Sequence, residues 1–403
     1  MTSKLEDLIA ELCPNGVEYK KIGDIADVSI GLATSVTKYK RDSGVLLLHN
    51  SDIQQGRIEL KNIEHIDDSF AKKNSSKLLR KNDIITIHTG DVGTSAVITD
   101  EYAGSIGFTT ITSRIKDFNQ VYPYYLCTYF NSHKCKIDIR KMTISDRSNL
   151  NQKDFIKIQV PVPPLEVQRE IVRILDNFTE LTAELTAELT ARKKQYEYYR
   201  DTLLTFNDNN PLRSLISRYC PNGVEYKKIG DIATLSRGKV MSKSFINDNS
   251  GEYPVYSSQT ENNGQFGAIS TYMFDGKYVT WTTDGANAGT VFYRDGKFSV
   301  TNVCGVIDIS DCQVDTKYVY YALTIHAKNY VSSGMGNAKL MSNVMSKVTI
   351  PVPPLGVQRQ IVQILDRFDA LCNDLTQGLP AEIEARRKQY EYYRDQLLTF
   401  KRA

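Results

Sequence analysis

Apolar residues recur along this chain in two different rhythms. From Ile171 they fall at Leu175, Phe178, Leu181, Leu185, Leu189, Tyr196, Tyr199, Leu203 and Phe206, three or four residues apart, with Arg192 and Lys193 filling the one gap. Such steps place one apolar seam along a helix and predict a coiled coil over Leu165–Phe206, about 63 Å long at 1.5 Å per residue. The seam returns at Ile361, Leu365, Phe368, Leu371, Leu375, Ile383, Tyr390, Tyr393, Leu397 and Phe400. This second copy is four residues longer, and Gly378 and Pro380 lie in the extra length. They mark either a kink or a short break with Pro380 opening a new helix, and the break is favoured because proline lacks only an amide donor that a first turn does not use. Antiparallel pairing of the two helices would set the remaining segments at opposite ends of a rod.

Those remaining segments show the second rhythm, short apolar runs bounded by turn formers. Gly44–His49 and Asp83–His88 read as strands, as do Lys277–Thr283 and Lys297–Thr301. Asp275-Gly276, Asp284-Gly285 and Asp295-Gly296 are read as turns. One Tyr-rich helical stretch follows in each segment, Tyr122–Phe130 and Lys317–Leu323. Each segment is therefore expected to be a mixed α/β unit, mainly strand.

The two halves share their framing sequence. Cys13–Ala26 recurs letter for letter at Cys220–Ala233, Val160–Arg169 is nearly repeated at Ile350–Arg359, and Lys-Gln-Tyr-Glu-Tyr-Tyr-Arg-Asp ends at both Asp201 and Asp395. Between these constant blocks the inserts differ. The expected layout is an N-terminal segment 1–19, a first variable domain 20–159, a first helix 160–206, a linker 207–226, a second variable domain 227–349 and a second helix 350–403. Within the first helix, Thr182-Ala-Glu-Leu185 and Thr186-Ala-Glu-Leu189 are tandem tetrapeptides. They read either as a tolerated slip in a solvated helix or as a spacer whose length sets the distance between the inserts.

Composition narrows the classes. The 403 residues are 41% apolar and 24% charged, with no run long enough to span a membrane and no signal-peptide core at Met1–Leu8. Seven cysteines without a Cys-x-x-Cys pair suit reduced thiols in a cytoplasm. Net charge is +3 overall, but Lys20–Gln159 holds 21 Lys/Arg against 16 Asp/Glu, which allows a local basic surface. There is no P-loop, no Gly-x-Gly-x-x-Gly and no Asn/Asp-Pro-Pro-Tyr motif, and the five histidines lack metal spacing. Catalysis by this chain alone is not expected, and no catalytic or metal-binding residue is assigned.

On the doubled framing blocks, the Pro-Val-Pro-Pro-Leu-x-x-Gln-Arg hinge and the Lys-Gln-Tyr-Glu-Tyr-Tyr-Arg-Asp helix, the chain resembles the specificity subunit of type I restriction–modification enzymes. The resemblance covers essentially the whole sequence. It implies an α+β fold in which two target-recognition domains are joined by two long antiparallel coiled-coil helices with pseudo-twofold symmetry. It also implies a non-catalytic subunit that binds double-stranded DNA at a bipartite, interrupted site. The partners implied are two methyltransferase subunits docked on the shared helices, and restriction subunits. S-adenosylmethionine, ATP and Mg would bind those partners, leaving no cofactor in this chain. The tandem tetrapeptides look like the family's spacer repeats. A self-sufficient methyltransferase or nuclease, and a scaffold whose inserts bind protein, are the rival readings.

Candidate DNA contacts follow from chemistry. Lys38, Lys40 and Arg41 around Tyr39, in a loop, and the patch Lys72, Lys73, Lys77, Arg80 and Lys81 suit phosphates, which give affinity without sequence information. Arg147 and Asn149 precede the first hinge, where they could reach guanine or adenine edges. Asn337 and Lys339 stand at the same distance from the second hinge, since Leu150 aligns with Leu340. Arg237, Lys239 and Lys243 are the second insert's phosphate candidates, and Gln259, Asn262, Asn263 and Gln265 its amide-rich base readers. Coil or docking roles fall to Leu175, Phe178, Leu185, Tyr196, Tyr198, Tyr199, Leu365, Phe368, Tyr390, Tyr392 and Tyr393. Of these, Tyr196 and Tyr199 fit the seam while Tyr198 points away from it.

Overall fold

The computed structural model describes residues 3–143, 149–332, 337–374 and 376–403. The chain divides into two compact units, Met1–Thr186 with Glu382–Ala403, and Ala187–Ala381. Both long helical segments are shared between them, so each unit carries a globular body and a stretch of paired helix.

In the first unit, strands β1 (Tyr19–Lys21), β2 (Ala26–Ile30), β3 (Lys40–Arg41), β4 (Val45–Leu48), β5 (His65–Ile66), β6 (Ile84–Ile87), β7 (Ser95–Val97), β8 (Ile106–Gly107), β9 (Thr110–Ile115) and β10 (Gln159–Pro161) form three sheets. The central one is antiparallel in the order β2-β9-β6-β7. Strand β6 is buried on both faces, which suits its unbroken Ile-Ile-Thr-Ile run. The helix Pro123–Phe130 covers the sheet with Tyr125, Tyr129 and Phe130, all nearly inaccessible; it starts one residue after the expected Tyr122, with proline at its first position, where no amide donor is needed. A smaller sheet, β8-β4-β5-β3, closes around Leu47, Ile66 and Ile106. Asp83, 2% exposed, holds β6 to β9 by a bidentate pair with Arg114 at 2.6 and 2.9 Å.

The constant blocks build a frame below this body. Strand β1 pairs with β10, Tyr19 opposite Pro161, and the Tyr125 hydroxyl donates to the Pro161 carbonyl at 3.1 Å. Gln168, fully buried, uses its whole amide: Oε1 accepts the Tyr122 N–H at 2.8 Å, and Nε2 donates to the Gln120 and Pro163 carbonyls at 2.8 and 2.7 Å. The helix Leu165–Leu203 begins there, and Phe178 on it stacks over Tyr393 of the helix Leu379–Leu397 at 5.3 Å. Leu175 is buried, while Tyr390 and Tyr393 are half-buried against the same core.

The second unit repeats the plan with longer strands: β11 (Tyr226–Lys228), β12 (Ala233–Arg237), β13 (Ser250–Tyr256), β14 (Gln265–Ile269), β15 (Phe274–Thr282), β16 (Val291–Val300), β17 (Cys304–Ile309) and β18 (Thr349–Pro351). Six of them form one sheet in the order β12-β17-β15-β16-β13-β14, while β11 pairs with β18 as β1 does with β10. Gln358 repeats Gln168 contact for contact: it accepts the Asp315 N–H at 2.8 Å and donates to the Gln313 and Pro353 carbonyls at 2.9 and 2.6 Å. Tyr318, on the helix Thr316–His326, donates to Pro351 at 2.8 Å, as Tyr125 does to Pro161. The helix Leu355–Asn373 lies antiparallel to the end of Leu165–Leu203, with Tyr199 stacked on Phe368 at 5.2 Å and Arg192 and Lys193 facing Cys372. Tyr196 and buried Leu365 belong to the same core; Leu185 is half-buried.

Between Asn373 and Leu379 the helix breaks, as expected, and Pro380 is the second residue of the new one. Gly378 permits the break, since a Cβ there would sit 2.5 Å from the Ala370 carbonyl oxygen. Two of the three predicted turns are corrected. Asp284-Gly285 does join β15 to β16, but Asp275-Gly276 and Asp295-Gly296 lie inside those strands, with Gly276 directly opposite Gly296. Both glycines have positive φ, 135° and 100°, so they distort a paired ribbon instead of reversing the chain. Lys40 and Arg41 belong to an edge strand, not a loop.

Candidate nucleic-acid interface

Three strands of the first unit end or begin at one edge of the central sheet: β2 at Ile30, β6 at Ile87 and β9 at Thr110. The connections gathered there are laced by hydrogen bonds. The Asn50 amide donates to the Thr89 carbonyl at 2.9 Å and to the Thr109 hydroxyl at 3.3 Å. Thr89 donates in turn to Asn149 Oδ1 at 2.9 Å, and the Leu150 N–H to the His88 carbonyl at 2.9 Å. The loop His88–Gly93 is thus clamped to the segment before the hinge, leaving Thr89, Gly90 and Asn149 exposed. Gly90 has φ 97° and open space where a Cβ would stand, so the turn exposes bare backbone. Thr109, a β-branched residue at φ 53°, is strained at the same edge.

The same construction appears in the second unit. The loop after β15 is bridged to the pre-hinge segment through Asp284 and Lys339, with the Leu340 N–H donating to Thr283 at 2.8 Å and the Gly285 N–H to Ala338 at 3.0 Å. Asn149 and Lys339 therefore occupy one topological position, each beside a glycine of positive φ with open space around it. Arg237 donates to the Thr283 hydroxyl at 3.0 Å, the Lys239 carbonyl accepts from the Asn302 N–H at 3.0 Å, and Asn287 reaches Thr260 at 3.1 Å. That last bond ties in the Gln259–Gln265 loop, where Gln259 donates to the Gln265 carbonyl and Asn262 and Asn263 are exposed. Arg237, Lys239, Lys339 and the amide-rich loop thus converge on one edge, near exposed Asn337. Lys243 opens a short exposed helix, Lys243–Asp248.

The first unit's cations divide by their partners. Lys40 pairs with Glu64 at 2.6 Å, Lys81 with Asp100 at 2.6 Å, and Arg41 lies 3.6 Å from Asp67. Glu64 is held below the usual carboxylate range by its bonds to Lys40 and His49. Lys77 donates to the Gly31 carbonyl at 2.7 Å, bracing the sheet edge itself. Lys38, Lys72, Lys73 and Arg80 are exposed with no acidic partner among the described residues. Tyr39 stacked on Phe70 at 3.8 Å brings Lys38 beside the helix that ends in Lys72 and Lys73. Arg147 lies outside the described residues.

Sequence reasoning did not single out Asn50, Thr89, Thr109, Thr283 or Asn287, and it read Asp284 only as part of a turn. Their signal was present in the paired glycines, Gly90 and Gly93 in one insert and Gly285 and Gly289 in the other, each just after a predicted strand. On the helices, Tyr198 and Tyr392 are the exposed members of the repeated tyrosine triplets, at 66% and 61%. Among the described residues no three His, Cys, Asp or Glu side chains gather as metal ligands, and no helix is long and apolar enough to cross a membrane.

Comparison with known proteins agrees with this architecture. A solved type I restriction–modification S subunit from M. genitalium superposes with a TM-score of 0.59 over 96% of this chain and 97% of that one, at 14% identity. The MpnII specificity subunit of Mycoplasma pneumoniae is 36% identical over 62% of this chain and 92% of its own length. The EcoR124I/EcoR124II specificity subunit of Escherichia coli is 33% identical over 69% of this chain and 70% of its own. The profile described as "Type I restriction modification DNA specificity domain" matches twice, over residues 14–192 and 221–385, and the match falls on both halves of the repeat. With both halves built alike around a variable sheet edge, the chain belongs to the type I restriction–modification DNA specificity family, as a specificity subunit and not a catalytic one.

Proposed function

We propose that this chain reads a bipartite, interrupted DNA site in the cytoplasm, one half through residues 20–159 and the other through 227–349, while the shared helices dock two methyltransferase subunits that restriction subunits join. The observation that carries the reading is the common position of Asn149 and Lys339. An identical frame presents, at one place in each unit, an open glycine turn beside a different hydrogen-bonding side chain. Constant support with variable chemistry is what two readers of different half-sites require. Lys38, Lys72, Lys73 and Arg80 in the first unit, and Lys239 and Lys243 in the second, supply phosphate contacts and make binding fall with salt. S-adenosylmethionine, ATP and Mg act in the partners.

Long-read methylation sequencing of DNA from cells with and without the chain tests this. A two-part methylated motif that disappears with the chain is expected. Methylation that is unchanged, or a motif in one continuous block, refutes the bipartite reading.

A further inference from the structure

One buried cation in the second unit has no charge partner. Arg294 projects from β16 and is 3% exposed, and among the described residues no carboxylate pairs with it. Its guanidinium lies 3.5 Å from the centre of the Tyr256 ring and 4.6 Å from that of Phe292. Nε donates to the Thr280 hydroxyl at 3.2 Å and Nη2 to the Asn263 carbonyl at 2.9 Å, while Nη1 is buried without an acceptor. Burying a guanidinium this way is costly, and burial pushes its pKa below the usual value. Packing alone would be better served by an apolar side chain.

What Arg294 grips is a strained turn. Asn262, Asn263 and Gly264 are consecutive left-handed residues, with φ of 48°, 52° and 76°. A Cβ on Gly264 would stand 3.2 Å from Arg294 Nη2 and 3.1 Å from the Gln259 carbonyl, so the turn is folded tightly onto the guanidinium. Non-glycine residues hold such a conformation only where the surroundings impose it, and such strain gathers at ligand-contacting sites. Here it leaves both asparagine side chains exposed.

We propose that Arg294 is the positioning residue of the second recognition domain, holding the Gln259–Gln265 loop in the left-handed turn that presents Asn262 and Asn263 to a base edge. The inference rests on the DNA-reading assignment made above. It acts through the peptide carbonyl of Asn263, so Arg294 touches no DNA itself.

The full-length chain, purified with its modification subunits, is used to select from a pool of duplexes carrying a long randomised tract. Wild type is expected to enrich two separated sequence blocks. Arg294→Met keeps one block sharp and blurs the other: discrimination against a wrong base pair, ordinarily about 5- to 150-fold, falls below about threefold in that block only. Arg294→Lys, which keeps the charge and a donor toward the Asn263 carbonyl, blurs it less. Two sharp blocks with Arg294→Met, or two blocks degraded together, overturn the proposal; the second outcome marks a general folding defect. The Asn262→Ala/Asn263→Ala variant separates the two claims. If it blurs one block while Arg294→Met does not, the loop reads DNA but Arg294 does not position it. If it leaves both blocks sharp, or wild type enriches none, the base-reading assignment of this loop fails and the inference with it.

Discussion

Gln168→Leu should loosen the first unit and leave the second intact. The buried amide satisfies the Tyr122 N–H and the Gln120 and Pro163 carbonyls in three bonds of 2.7–2.8 Å. Leucine fills similar volume but meets none of them. A buried polar group left unpaired costs about 1–3 kcal/mol. The bond to Pro163 is fully buried and the other two partly so, and water can replace part of what those two lose. We therefore expect about 3–4 kcal/mol. Denaturant titration of the full chain, with amide exchange to locate the change, reads the effect. Exchange should quicken across β1 and β10 and not across β11 and β18, and Gln358→Leu should give the mirror result. Gln168→Glu should be worse near neutral pH than in acid, because a carboxylate would face two carbonyl oxygens whereas its protonated form can donate to one. A Gln168→Leu cost below about 1 kcal/mol, or equal loosening of both units, would refute the view that this side chain fastens one body to its frame.

Glu170, 4% exposed, is held down to about 2 by Arg173 first and then Lys4, at 2.6 and 2.9 Å. Its folded value is depressed, so its contribution is present above the ordinary glutamate range and lost as pH falls toward 2; with both cations largely exposed we expect about 1–2 kcal/mol. The melting-temperature gap between wild type and Glu170→Gln should accordingly shrink between about pH 4.5 and 2, and a constant gap would exclude the ion pair as its cause. Tyr198→Ala should change stability by under about 0.5 kcal/mol, as exposed positions do, yet weaken capture of modification subunits in co-purification. Tyr199→Ala, which loses the stack on Phe368, should cost about 2 kcal/mol in denaturant melts. Deleting Thr186–Leu189 removes about 6 Å of helix and should shorten the unread gap while both half-site sequences persist in the methylation motif.

Features that depend on spacing and repetition are legible along the chain. The steps from Ile171 to Leu203 specified a helical seam because helix periodicity is local, and the break at Gly378–Pro380 followed from backbone chemistry. The exact repeat of Cys13–Ala26 at Cys220–Ala233 required the same small frame twice, and the structure builds it twice as β1–β10 and β11–β18. Exposure of Tyr198 beside seam-facing Tyr199 was likewise legible from helix phase. Which distant residues meet emerges only on folding. Asp275-Gly276 and Asp295-Gly296 carry a turn signal, but long-range pairing of β15 with β16 overrides it. Lys40, Lys77 and Lys81 looked equivalent to Lys72 and Lys73 along the chain; acids or carbonyls brought from elsewhere by folding engage the first three. Asn149 and Thr89 are 60 residues apart, and Arg294 reaches the Asn263 carbonyl across 31. No local pattern encodes such contacts, because they depend on strand order and on which side chains the closing sheet buries.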